Sequence, residues 1–143
     1  METSLPTPAR LLGSAGLIPF LGLTVGVWAG WPGAAPALAG YGATILAFLG
    51  AVHWGLALRA PASERHADRA RFGLGVIPAL LGWVALLLPL RLGLLLLALA
   101  ILATAAVESL AARAGLLPES YLRLRWLLSL GAAASMIAGM MGI

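Results

Sequence analysis

The chain has 143 residues, 62% of them hydrophobic and 10% charged, with a mean hydropathy of +1.00, which excludes a soluble domain of this size and makes it a membrane protein. It holds no cysteine, which excludes disulfides, thiolate metal sites, covalent c-type haem attachment and thiol redox chemistry. It holds no lysine either, so the positive side of its +4 net charge is nine arginines; in sequence this apolar they flank membrane helices, and nucleic acid is discarded as a partner.

Apolar runs of about 20 residues cross a ~30 Å hydrocarbon core, and five of them follow one another along the chain. The reading is an all-α, polytopic bundle in a single domain over residues 1–143, with spans at about 11–30, 37–58, 72–90, 92–112 and 126–142. Thr7 and Pro8 suit the start of the first span, and Trp31, Pro32, Gly33 and Pro36 separate it from the second. Pro61 closes the second span, and Ser63 with Glu64 restarts the chain toward the third. A tight link around Pro89 to Gly93, with Arg91 at its tip, joins the third and fourth. Gly115 is a natural residue just beyond the end of the fourth, and Pro118 with Glu119 opens the fifth helix inside the interface. Pro19 and Pro78 fall inside the first and third spans and are expected to kink them.

Arginine is retained on the cytoplasmic side of a membrane. Arg10, Arg59, Arg65, Arg69, Arg71, Arg113, Arg123 and Arg125 fall on one side of this topology and Arg91 alone on the other. The N-terminus is therefore expected in the cytoplasm and the C-terminus in the periplasm of a bacterial inner membrane, with Trp28, Trp31 and Tyr41 in the outer aromatic belt and Trp126 in the inner one. A rival reading takes residues 1–39 as a signal peptide, since Ala37-Leu38-Ala39 fits a small-x-small cleavage pattern. It ranks second, because the first apolar run is long for such a segment.

Helices in lipid pack through small residues at four-residue spacing. Gly22, Gly26 and Gly30 form one such row, Ala39, Ala43, Ala47, Ala51 and Gly55 a second, and Gly131, Ser135 and Gly139 a third. The expectation is packing within the bundle rather than dimerisation. Met136, Met140 and Met141 read as apolar filler, because no histidine accompanies them as a metal site would need.

Ionisable groups inside hydrocarbon are costly and face the bundle interior. In this parse only His53 and Glu108 qualify. His53 lies six residues before Arg59 and Glu108 five before Arg113, which at 1.5 Å per residue sets both roughly 8–9 Å below the arginine level on two spans running the same way. A His53–Glu108 hydrogen bond or ion pair is the preferred site, with Thr104 one turn before Glu108 and Trp54 beside His53 as further candidates. A pair that only fixes helix register is an equal alternative. Haem ligation is weaker, since His66 lies in a charged turn beside Arg65 and Asp68 and leaves a single axial ligand. No metal or cofactor is expected, no catalytic constellation is present, and the chain is read as not an enzyme.

The stretches "YGATILAFLGAVHWGLAL" (Tyr41 to Leu58), "GVIPALLGWVALLLP" (Gly75 to Pro89) and "GLLPESYLRLRWLL" (Gly115 to Leu128) resemble the uncharacterised domain-of-unknown-function family 3429, the transmembrane protein 69-like proteins. The most specific elements are Gly50, His53, Trp54 and Gly55, and the run at 116–125. The resemblance implies an integral membrane protein of about five helices and carries over no catalytic residue. Two function classes follow. One is a non-catalytic accessory, assembly or scaffold component that meets a membrane-protein partner or a second copy through its small-residue rows. The other is a small-ligand protein, a proton or solute permease or a quinone or haem binder, using His53 and Glu108.

Overall fold

The computed structural model describes residues 5–143, and all regular structure among them is helical. The first span consists of α1 (Thr7–Ala15) and α2 (Leu17–Trp28); α3 covers Ala34–Arg59, α4 Asp68–Leu87, α5 Leu90–Arg113 and α6 Glu119–Met141, with a short 3-10 helix, Ala62–Ala67, leading into α4. Five helices are thus long and apolar enough to cross a membrane. They run further into the interfaces than their apolar cores do, and α6 begins at Glu119, as Pro118 and Glu119 imply, ahead of the apolar run at 126–142.

The helix ends follow local chemistry. Gly115 has φ +79°, its N–H donates to the Ala112 carbonyl at 3.0 Å and the Leu116 N–H to that of Ala111 at 3.0 Å, the paired bonds of a left-handed helix stop. Gly33, at φ +78°, precedes α3. Thr7 supplies no side-chain cap; Pro6 holds that position. Pro19 has no N–H with which to hold the preceding turn, and the first span is interrupted one turn earlier, at Gly16, whose carbonyl accepts a 2.7 Å hydrogen bond from the Tyr41 hydroxyl. Pro78, buried against α3, lies within an uninterrupted α4.

Close approach of backbones sets the interior. A side chain at Gly93 would strike the Ala85 carbonyl oxygen of the preceding helix at 2.4 Å, one at Gly82 would touch the Ala43 backbone, and one at Gly50 would meet the Gly75 and Leu74 carbonyls. Met136 fills the notch at Gly42, and Leu38 the notch at Gly139. Around these contacts Phe20, Leu38, Leu46, Leu94, Leu97, Ile101 and Met136 form a continuous apolar core. Leu38 and Ala39, from the triplet of the signal-peptide reading, are part of it.

The small-residue rows divide. Gly26 packs under Trp31 and Ala34, Gly131 against Leu17 and Gly139 against Leu38, with Ser135 buried between them. Gly22 is exposed with nothing near it. In α3, Ala39 and Ala43 are buried and Ala47 is half-buried, but Ala51 and Gly55 are exposed, which corrects the expectation of one contact face. The reason is geometric: steps of four residues at 100° each rotate 40° per step, so five members wind about 160° around the helix and leave any single interface.

Candidate functional site

His53 and Glu108 are brought together. His53 Nε2 lies 2.8 Å from Glu108 Oε1, and both side chains are buried, the carboxylate completely. The helices that carry them are not sequence neighbours; α4 lies between them in the chain, so the contact locks α3 against α5.

The sequence reading omitted a third member. Arg125, on the second turn of α6 and buried, places Nε 2.8 Å from Glu108 Oε2. Each carboxylate oxygen therefore has one nitrogen 2.8 Å away: the imidazole donates through Nε2 to Oε1, and the guanidinium forms an ion pair with Oε2 that is not aligned as a hydrogen bond. Arg125 Nη1 donates to Ser129 Oγ, whose own hydroxyl donates to the Arg125 carbonyl at 2.7 Å. The Tyr121 hydroxyl is buried against Glu108 and Arg125, so that Glu108 Oε2, Arg125 Nε and Nη2 and this hydroxyl form one close cluster in which none is aligned as a hydrogen bond. The apolar run that marks the fifth span starts at Trp126, which places Arg125 among the interfacial arginines. A signal was present all the same. In an antiparallel helix pair, residues about equidistant from the turn face one another, and Glu108 and Arg125 lie eight and nine residues from the middle of the 114–118 link. Beside this pair, Trp126 Nε1 donates to Ser109 Oγ at 2.7 Å across the same two helices.

The other two candidates stand outside this network. Thr104 is buried, but its hydroxyl donates to the Ala100 carbonyl, one turn back on its own helix, at 2.8 Å. Trp54 is 42% exposed; its indole covers Gly75 and donates to the Phe72 carbonyl at 3.1 Å. It belongs to the α3–α4 contact, edge-on to Phe72.

The triad lies toward the arginine-rich end of the bundle. His53 borders a pocket of about 80 Å³ also lined by Arg71, Leu74 and Leu117. Beyond it, a wider cleft of about 390 Å³ is lined by Arg59, Pro61, Glu64 and again Arg71. Arg71 Nη2 donates to Glu64 Oε1 at 2.8 Å, while its buried Nη1 has no partner. A small, mostly apolar space with Arg71 in its lining thus approaches His53 from one end. On the other side of the triad the apolar core fills the bundle. Among the described residues, no group of three or more histidine, aspartate or glutamate side chains is placed to hold a metal ion.

Comparison with known proteins agrees with this architecture. Residues 5–141 match the family described as "Protein of unknown function (DUF3429)". Transmembrane protein 69 of Xenopus tropicalis is 43% identical over 89 residues, which are 57% of this chain and 33% of that protein; the chain thus spans about a third of that relative's length. No solved structure matches.

Proposed function

Because the chain belongs to the DUF3429 family of multi-pass membrane proteins, and that membership assigns it no activity, we propose from its own surface that it is a non-catalytic accessory or assembly component of a larger complex in a bacterial cytoplasmic membrane. One observation supports the reading. Gly40, Thr44, Ala51 and Gly55 fall within about 60° of one another on α3 at 100° per residue, Thr44, Ala51 and Gly55 are exposed, and a side chain at Gly40 or Gly55 would meet nothing. Gly42, Gly50, Gly82, Gly93 and Gly139 are filled by the chain's own helices, whereas along this ridge four small residues stand together without such a neighbour, and small residues are what allow a second helix to come near in lipid.

The ridge is testable apart from the fold. Ala51→Leu and Gly55→Leu add bulk to an outward face, so the isolated protein should keep its melting temperature while a stoichiometric partner, or a second copy, is lost on purification in mild detergent. Association unchanged in both variants would overturn the docking reading.

A second reading, a small-ligand or proton-binding protein using His53 and Glu108, is supported by the pocket that reaches His53. The apolar core behind the triad argues against a solute path through a single copy.

A further inference from the structure

The way to His53 narrows at one side chain. The small space that borders the imidazole and the wider cleft at the arginine-rich end are both lined by Leu56, Arg71 and Leu116. His53 belongs only to the inner space, and Arg59 and Glu64 only to the outer. Arg71, on the first turn of α4 and buried, therefore stands between the aqueous face and the triad. On its remaining side the inner space adjoins a groove between α4 and α5, with which it shares Ala70, Leu74 and Val107. That groove continues past Ile77, Pro78 and Leu81 along the apolar part of the two spans, so it opens to hydrocarbon and brings no water.

Arg71 is held in this position from one side only. Its Nη2 meets Glu64 Oε1 at 2.8 Å, but the Glu64 side chain is 29% exposed and is carried by the short Ala62–Ala67 turn rather than by a span. An ion pair with one member so open to water is weakly held. Arg71 Nη1 is buried without a partner, and an unpaired buried donor carries a cost that water would relieve. The closed position thus combines a half-open pair with an unsatisfied donor. A guanidinium swung outward into the cleft keeps its charge in water and loses little, which is the condition for a side chain that exchanges between two positions.

We propose that Arg71, latched by Glu64, is a gate between the aqueous face and the His53–Glu108–Arg125 triad. Closed, it keeps the triad dry, because the space behind it is walled mostly by hydrocarbon and such cavities hold no water. Released into the cleft, it joins the two spaces and lets water reach the imidazole. What the gate serves rests on the second reading above, a proton or small ligand at His53; whether it exists does not.

The chain has two histidines, His53 and His66, so the full-length protein in detergent micelles, labelled with 15N in histidine and tryptophan, shows two imidazoles beside its indoles. His66→Gln and Trp126→Phe assign the signals. The measurement is the exchange with water of the His53 Nε2 proton, which is held by Glu108. The Trp126 indole proton, bonded to Ser109 across the two helices that carry Glu108 and Arg125, reports any general loosening. In wild type the His53 proton should exchange slowly. Glu64→Gln keeps the size of the latch and removes its charge, and should speed that exchange about fivefold or more. Arg71→Ala removes the gate itself and should speed it at least as much, with Trp126 unchanged in both variants. If Arg71→Ala does not fold, Glu64→Gln decides alone. The gate is overturned if either folded variant keeps the wild-type rate at His53, if Trp126 speeds up in step with His53, or if the wild-type proton is lost as fast as that of His66. Following the His53 ring shifts against pH in the same samples tests the second reading separately: faster exchange at a ring that does not titrate keeps the gate and removes the proton as what it serves.

Discussion

Glu108 is held from two sides by groups that arrive on different helices, and the chain's most consequential single-residue effects should centre on it. Removing one partner of a buried charge pair strands the other and costs on the order of 3–5 kcal/mol. Arg125→Ala is therefore expected to lower stability by that amount, and Glu108→Ala by a similar one, because each leaves an uncompensated charge at full burial. His53→Ala should cost less, about 1–3 kcal/mol, since Glu108 keeps its arginine. The double variant Glu108→Ala with Arg125→Ala should be less damaging than the two single losses added together. Thermal unfolding of all four variants in one detergent checks these values, the Glu108 and Arg125 variants being read as a double-mutant cycle, and strictly additive losses there would mean that the contact contributes no coupling. The His53–Glu108 half of the site was legible from depth alone, because two intramembrane ionisable groups on parallel spans at one height have little else to meet. Arg125 was not, because a hydropathy window ends where charge begins, and helices continue past that point whenever a charge finds a buried partner.

Elements were legible where the chain marks them and misread where a pattern was extended too far. Gly115 stops α5 as expected, since a left-handed residue there completes the carbonyl pairing. The five-member row in α3 failed as a single contact face because helical repeat and row spacing do not match, and its last members, Ala51 and Gly55, lie on the exposed side. Two substitutions separate these cases. Gly93→Ala would push a methyl into the Ala85 carbonyl at the tight α4–α5 link; backbone rather than a flexible side chain must yield, and a loss of about 1–3 kcal/mol is expected. Ala51→Leu, on the exposed side of α3, should change stability by no more than ~0.5 kcal/mol. Melting temperatures of the two variants in the same detergent settle the matter, and a reversed order would mean that α3 is rotated relative to its neighbours. Tyr41→Phe, which removes the hydroxyl from the Gly16 carbonyl, should cost about 1 kcal/mol through the broken turn of the first span.

At the scale of the whole molecule, the orientation in the bilayer rests on arginine asymmetry, and the fold changes what that asymmetry consists of. Arg71 and Arg125 are buried and paired, with Glu64 and Glu108 respectively, so they help to hold the bundle as well as to mark its side. The other six arginines at that end, Arg10, Arg59, Arg65, Arg69, Arg113 and Arg123, lie on exposed positions. At the opposite end Arg91 stands alone and donates to the Ile143 carbonyl oxygen. Setting the two buried arginines aside still leaves six against one, and the retention of positive charge in the cytoplasm acts on short flanking segments of this kind. A reporter inserted at Ser63, exposed in the 3-10 turn, should therefore behave as cytoplasmic, and one fused after Ile143 as periplasmic. Replacing Arg65 and Arg69 with glutamine should leave this pattern intact, because Arg59, Arg113 and Arg123 flank the same side on neighbouring spans. If the two reporters exchange compartments, the chain is inserted the other way. The narrow approach to His53 past Arg71 and Glu64 would then open toward the periplasm, and a proton or small ligand reaching the triad would come from there.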